Sequence, residues 1–161
     1  MKTLLMGLMM AATLAAAAWA EVWRFDPGTG VGPIKLNGDY LSPTKLGLTP
    51  GQGFPTNLGY YLKYKEGVET DCTGKRITQI AILSTSFSTK SGPVEVQFPG
   101  NLKIGSSVQQ MQTALGGNYL SHDIPTAKGL PRRVEYVYTA QGLMVLVEGG
   151  KILQFNVFMK R

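Results

Sequence analysis

Cys72 and His122 are the residues with which this chain could do covalent chemistry. A thiol becomes a nucleophile when a base takes its proton, and an imidazole oriented by a carboxylate is a common base. Asp71 and Asp123 are their immediate neighbours, so an orienting carboxylate is at hand. No local motif joins the two, however, and they are far apart in the chain. An unpaired cysteine at the edge of a β-rich segment is more often a small buried hydrophobe. His122, ahead of Pro125, has the setting of a surface loop residue. Cys72 is the only cysteine and His122 the only histidine. No intramolecular disulfide can form, and a Cys/His metal site is excluded. The expectation is a protein that is not an enzyme and carries no metal or cofactor.

Gly28-Thr29-Gly30-Val31-Gly32-Pro33 has the outline of a phosphate loop. Such a loop needs a following helix whose first amides hold the anion. Pro33 leads instead into the strand-like Ile34-Lys35-Leu36, so the segment is a turn after an entry strand.

The tyrosines offer contact area in place of catalysis. Tyr60, Leu62 and Tyr64 alternate onto one face of a strand, as do Val134, Tyr136 and Tyr138. If both faces lie on one side of a sheet, they are either its core or an aromatic binding surface. The candidate binding residues are Tyr61, Tyr64, Tyr136 and Tyr138, with Arg132 and Arg133 supporting an anionic partner. Alternation puts Tyr61 and Tyr64 on opposite faces unless a bulge intervenes, so at least one of the four is misplaced otherwise.

The elements that would position these residues are mostly strands. Val94, Val96 and Phe98 alternate with Glu95 and Gln97. Strands are expected near 133–139, 142–148 and 151–159, with Glu148-Gly149-Gly150-Lys151 as a tight turn. A matching meander is expected near 59–65, 67–72 and 76–83. One helix is well marked. Ser107 and Gln110 form a capping box, Val108, Met111 and Leu115 share a face, and Gly116-Gly117 stops it. Ser42-Pro43 could open a shorter helical turn. The stretch from Leu48 to Leu58, with its prolines and glycines, has the composition of an irregular loop.

Four short echoes run in the same order through the two halves. Val22 to Gly28 is answered by Val94 to Gly100, and Ile34-Lys35-Leu36 by Leu102-Lys103-Ile104. Tyr61 to Tyr64 is answered by Tyr136-Val137-Tyr138, and Gly74 to Ile82 by Gly150 to Val157 with one residue skipped. The expected organisation is a degenerate first repeat over 21–83, a Ser/Thr-rich linker over 84–93 and a second repeat over 94–161.

The opening twenty residues are an address. Met1-Lys2-Thr3 is basic, Leu4 to Ala18 is almost wholly apolar, and Ala18-Trp19-Ala20 offers the small-x-small pattern of signal peptidase. Residues 1–20 are thus expected to be a signal peptide, cut after Ala20, with the product periplasmic or secreted. Loss of Lys2 lowers the formal charge from +6 to +5. The remaining basic residues are scattered, which with export argues against nucleic acid. No stable transmembrane segment is expected after processing.

The segments Leu102-Lys103-Ile104-Gly105-Ser106-Ser107, Ala114-Leu115-Gly116 and Gly150-Lys151-Ile152 together resemble the β-lactamase-inhibitory-protein-like fold, a group that includes small outer-membrane assembly lipoproteins. The resemblance implies a short helical layer on an antiparallel sheet, sometimes in tandem, and protein binding outside the cytoplasm without catalysis. The inhibitor's disulfides and the lipoproteins' lipidated cysteine are both missing here, so neither specific activity carries over. The fold expected is α+β, two degenerate repeats, each a short helical segment packed on an antiparallel meander. The function expected is an exported, non-enzymatic module that binds another protein or an anionic envelope component. A small-ligand-binding protein is the alternative, and a Cys-dependent enzyme a remote one.

Overall fold

Alternating buried and exposed residues dictate strands through most of the chain. The structure, a computed structural model, describes residues 19–57 and 59–160. The first strands are β1 (Glu21–Asp26), β2 (Gly30–Val31) and β3 (Ile34–Lys35). A single helical turn, α1 (Ser42–Lys45), precedes β4 (Pro50–Pro55), β5 (Gly59–Tyr64), β6 (Val68–Thr73) and β7 (Arg76–Ile82). Then come β8 (Ser86–Thr89), β9 (Gly92–Gln97) and helix α2 (Val108–Leu115). The chain ends with β10 (Leu120–Ile124), β11 (Arg133–Tyr138), β12 (Leu143–Glu148) and β13 (Lys151–Phe158).

Two sheets result. The larger has eight strands in the order β10-β11-β12-β13-β7-β6-β5-β4, all neighbours antiparallel. The smaller has five, in the order β3-β2-β1-β9-β8, with β1 and β9 parallel. The core lies between them. Trp23, Phe25, Val94, Val96 and Phe98 of the small-sheet side meet Ile80, Ile82, Val145, Phe155 and Val157 of the large sheet. Phe98 stacks on Phe155 at 4.2 Å between ring centroids, and Phe25 flanks both.

This overturns the expected α+β layering. The molecule is mostly β, built from two sheets of five and eight strands rather than helical layers on meanders. The reason is the β1/β9 pairing. It joins segments far apart in sequence, and a parallel pair leaves no hairpin signature. Two further strands lie in segments without a strand-like composition. The stretch 84–93 contains β8 (Ser86–Thr89), which pairs with β9 inside the small sheet. The supposed loop before Leu58 contains β4, which tolerates Pro50 and Pro55 because it is an edge strand. Helix α2 is where the spacing puts it. Ser107 Oγ accepts from the Gln110 amide at 3.2 Å, and Gln110 Oε1 accepts from the Ser107 amide at 2.8 Å.

The halves of the large sheet, β4 to β7 and β10 to β13, meet along the β7/β13 pair as mirror-ordered sets. Their internal plan is the same. The Ile77 amide donates to Gly38 O at 3.0 Å while Ile77 O accepts from Asn37. The Ile152 amide donates to Ser106 O at 2.8 Å while Ile152 O accepts from Gly105. The register shifts at Asp71/Cys72 in one half and at the corresponding Leu146/Val147 in the other, leaving Thr78 and Leu153 as the extra residues.

Candidate functional site

Because side chains alternate, every strand of the large sheet has an inward and an outward set. Tyr64, Cys72, Ile77, Tyr138 and Phe155 belong to the inward set and to the core. The outward set includes Tyr61, Lys63, Glu69, Asp71, Gln79, Ala81, Arg133, Glu135, Val137, Met144, Leu146, Glu148, Gln154 and Asn156, as the pairing registers require. None of its apolar members joins the core cluster. This face and the outer side of the small sheet, where Arg24, Glu95 and Gln97 are exposed, are the sheet surfaces turned away from the core.

Its centre is sunken. Ala81 and Asn156 are paired across the β7/β13 seam and are buried, although they point outward. The longer side chains around them stand higher. Asn156 Oδ1 accepts from Gln79 Nε2 at 3.1 Å and from Gln154 Nε2 at 2.7 Å, while its own Nδ2 has no partner. On one side of the seam lies a charged corner. The Tyr61 hydroxyl donates to Glu69 Oε2, and Lys63 Nζ is 3.2 Å from Glu69 Oε1. Burial and the adjoining carboxylate both push the Tyr61 phenol upward, so it stays a donor. On the other side lie the half-buried Val137, Met144 and Leu146.

The sequence-derived candidates scatter over this frame. Tyr61 alone of the four tyrosines is on the open face. Tyr64 and Tyr138 are buried, and Tyr136 packs on the core beside Tyr119. The two alternating aromatic sets thus do share one side of one sheet, and that side faces the core, although Tyr60 near its edge is exposed. Both arginines are already matched. Arg132 makes a two-bond pair with Asp123 at 2.7 and 2.9 Å, which holds that carboxyl below its usual range. Arg133 meets Glu148 at 2.6 Å. Of the cleavage residues, Ala18 lies outside the described residues, and Ala20 is exposed just before β1.

Cys72 and His122 do not come together. Cys72 is fully buried on the inward face of β6, with burial raising its thiol and Thr70 at 3.8 Å as its partner. His122 is exposed on edge strand β10, on the outward side. Five strand spacings separate β6 from β10, about 24 Å. The Gly28–Gly32 segment is a tight turn leading into β2 and β3, with no helix after it to hold an anion.

What spacing alone misses is the polar and apolar set around the seam: Glu69, Asp71, Gln79, Met144, Leu146, Gln154 and Asn156. The signal for it is present as alternation in Val68–Thr73 and Leu143–Glu148, but alternation does not say which phase faces the core. A separate cavity of about 720 Å³ opens beside β8 and β9, lined in part by Val22, Phe87, Val96, Phe98 and Leu102. Comparison with protein-family models, curated proteins and solved structures finds no match to this chain.

Proposed function

We propose that this chain is an exported, non-enzymatic binding module built from a duplicated four-stranded unit, and that it engages a protein through the open face of its large sheet. One observation carries the reading: an eight-stranded sheet is packed on one side only, and its other side presents half-exposed apolar groups beside charged ones. Contiguous apolar surface rimmed by polar groups is the usual sign of an interaction site. The export half of the proposal is supported by the position of β1, whose first residue is Glu21. Cleavage after Ala20 therefore leaves β1 whole. No helix among the described residues is long and apolar enough to cross a membrane.

The test is cross-linking from envelope extract with the mature chain, comparing wild type with Leu146→Arg. Capture of a discrete partner by wild type, lost in the variant at unchanged unfolding midpoint, supports the proposal. Capture that survives Leu146→Arg and a second face variant, Gln154→Arg, refutes it. Small-ligand binding is favoured by one observation, the cavity beside β8 and β9, which Val22 from the first half and Leu102 from the second both line. Retention of a small molecule by the purified chain, lost in Val96→Trp, would select that reading.

A further inference from the structure

The last strand of an open sheet carries backbone amides and carbonyls without a ladder partner, and such an edge pairs with another chain unless something blunts it. The two sheets here end in β3, β8, β4 and β10. β4 begins and ends in proline and slips register against β5. β3 is only two residues long and β8 only four, which leaves little to pair with. β10 is the exception. It holds five residues without proline or glycine, pairs with β11 without a register shift, and exposes Leu120, Ser121, His122 and Asp123. Its carboxylate, which would otherwise repel a neighbour, is already matched within the chain, because Arg132 closes on both oxygens of Asp123.

We propose that β10 pairs with β10 of a second copy of this chain, antiparallel about a two-fold axis at His122, so that two eight-stranded sheets run on as one. The strand is self-complementary about that residue. Leu120, His122 and Ile124 point outward with Val137, Glu135 and Arg133 of β11, while Ser121 and Asp123 point inward with Tyr136 and Val134. The two-fold pairing sets Leu120 opposite Ile124 of the second copy on the outward side. On the inward side it sets Ser121 opposite Asp123. Apolar meets apolar, and a hydroxyl donor meets a carboxylate acceptor. Cross-strand pairs of this kind stabilise an antiparallel ladder, and like charges set directly opposite destabilise it. Centring the axis on Asp123 would oppose two carboxylates, and centring it on Ser121 would put Leu120 against His122.

An axis at a residue pair suits both phases of the antiparallel ladder, and five residues against five form about four to six backbone hydrogen bonds. A strand of unrelated sequence could supply those bonds but not the mirrored side-chain pairs. The contact is isologous, so it closes after two copies and consumes the edge instead of propagating into a fibre. It is also small, which makes the dimer reversible and dependent on concentration. Opposed residues of an antiparallel pair point to the same face, so the outward faces of both copies lie on one side. The pairing does not depend on what that face binds.

The test is sedimentation equilibrium of the mature chain from about 1 µM to 1 mM. A reversible monomer–dimer step is expected, with amide exchange in β10 slowing as the dimer fills. Ser121→Asp sets a carboxylate opposite Asp123 at both symmetric positions and should weaken the dimer about tenfold, whereas Ser121→Lys should tighten it. The unfolding midpoints of the diluted variants should not move, because Ser121 is exposed. Cross-linking reads the register, and the buried Cys72 does not interfere. His122→Cys should oxidise to a disulfide-linked dimer. Leu120→Cys should not, since its two copies stand about 13 Å apart along the paired strands. Leu120→Cys combined with Ile124→Cys should link again. A chain that stays monomeric throughout overturns the proposal, as does a dimer that Ser121→Asp and Ser121→Lys leave alike. Linking of Leu120→Cys as readily as His122→Cys overturns it too. So does slowed exchange in β10 that needs envelope extract and does not follow the concentration of the chain itself.

Discussion

Gln79 and Gln154 occupy the same place in β7 and β13, and their side chains converge on a single acceptor, Oδ1 of Asn156. This amide cluster straddles the junction of the two halves on the outward face. It tethers one four-stranded set to the other beyond the ladder itself, where β7 and β13 pair from Gln79 to Ile82.

Asn156→Ala should therefore cost about 1 kcal/mol, the typical net worth of hydrogen bonds whose freed donors can reach water. Gln79 and Gln154 are only half-buried, so the loss is not that of a sealed polar group. Urea unfolding measures it. A double-mutant cycle of Gln79→Ala with Asn156→Ala should show coupling, and strict additivity would mean that the cluster contributes nothing across the seam.

In α2, burial concentrates on one residue. Met111 is fully buried, whereas Val108 and Leu115 only flank the core. Met111→Ala should cost about 2–5 kcal/mol, and Leu115→Ala clearly less. Ser107→Ala should cost about 1 kcal/mol through loss of its cap to the Gln110 amide. Denaturation midpoints of the three variants should rank in that order, with Met111→Ala the lowest.

Stability should fall in alkali, and the direction follows from four buried protons. Burial raises the Cys72 thiol and the Tyr64 phenol, and it pushes Tyr138 up to about 12, with Tyr119 and Tyr136 adding to the effect. Tyr61 is raised as well, by burial and then by Glu69. The unfolded chain releases these protons from about pH 8.5 for the thiol and about pH 10 for the phenols. The folded chain keeps them, so the unfolded state binds fewer protons and stability declines as pH rises. Urea unfolding should be insensitive to these groups near neutrality and weaken from about pH 9 upward. Tyr138→Phe should flatten that slope by up to about 1.4 kcal/mol per pH unit, and an unchanged slope would show that its phenol is free to ionise in the fold.

How far these features can be read from sequence depends on how local their causes are. The capping box needs only Ser107 and Gln110, three positions apart in one turn, and it is where spacing puts it. The meanders 133–139, 142–148 and 151–159 are also local, and β11 to β13 match them within a residue or two. The β1/β9 pairing is not local, since nothing in Val22-Trp23-Arg24 names Val94-Glu95-Val96 as its neighbour. Without that pairing, the segments of the second sheet read as part of a helical layer. The outward set of the large sheet is hidden by a phase ambiguity. In Leu143–Glu148 both alternating sets are largely apolar, so composition cannot say that Val145 faces in and Leu146 out. For the same reason composition points to the tyrosines and not to Gln79, Gln154 and Asn156.

The tyrosines themselves supply the most direct test of which face is open. Tyr138 is fully buried, donates to Gly116 O at 3.3 Å and leans on Tyr119. Tyr64 is its counterpart beneath β5, likewise buried. Removing either ring leaves a large cavity between the sheets, and Tyr→Ala at these positions should cost about 3–5 kcal/mol, by analogy with other large aromatic truncations. Tyr61 differs in kind. Its ring lies outward, with Lys63 Nζ 5.7 Å from its centroid, and its hydroxyl holds Glu69. Tyr61→Phe removes that hydrogen bond without opening the core. It should cost about 1–3 kcal/mol if Glu69 is left short of a partner, and less if water replaces the hydroxyl. Binding reads the other way round. On the proposed reading of the open face, Tyr61→Ala should weaken partner binding while Tyr136→Phe leaves it untouched, since Tyr136 faces the core. Equal loss of stability at Tyr61, Tyr64 and Tyr138 would mean that both sides of the sheet are packed, and the open face would cease to exist as a site.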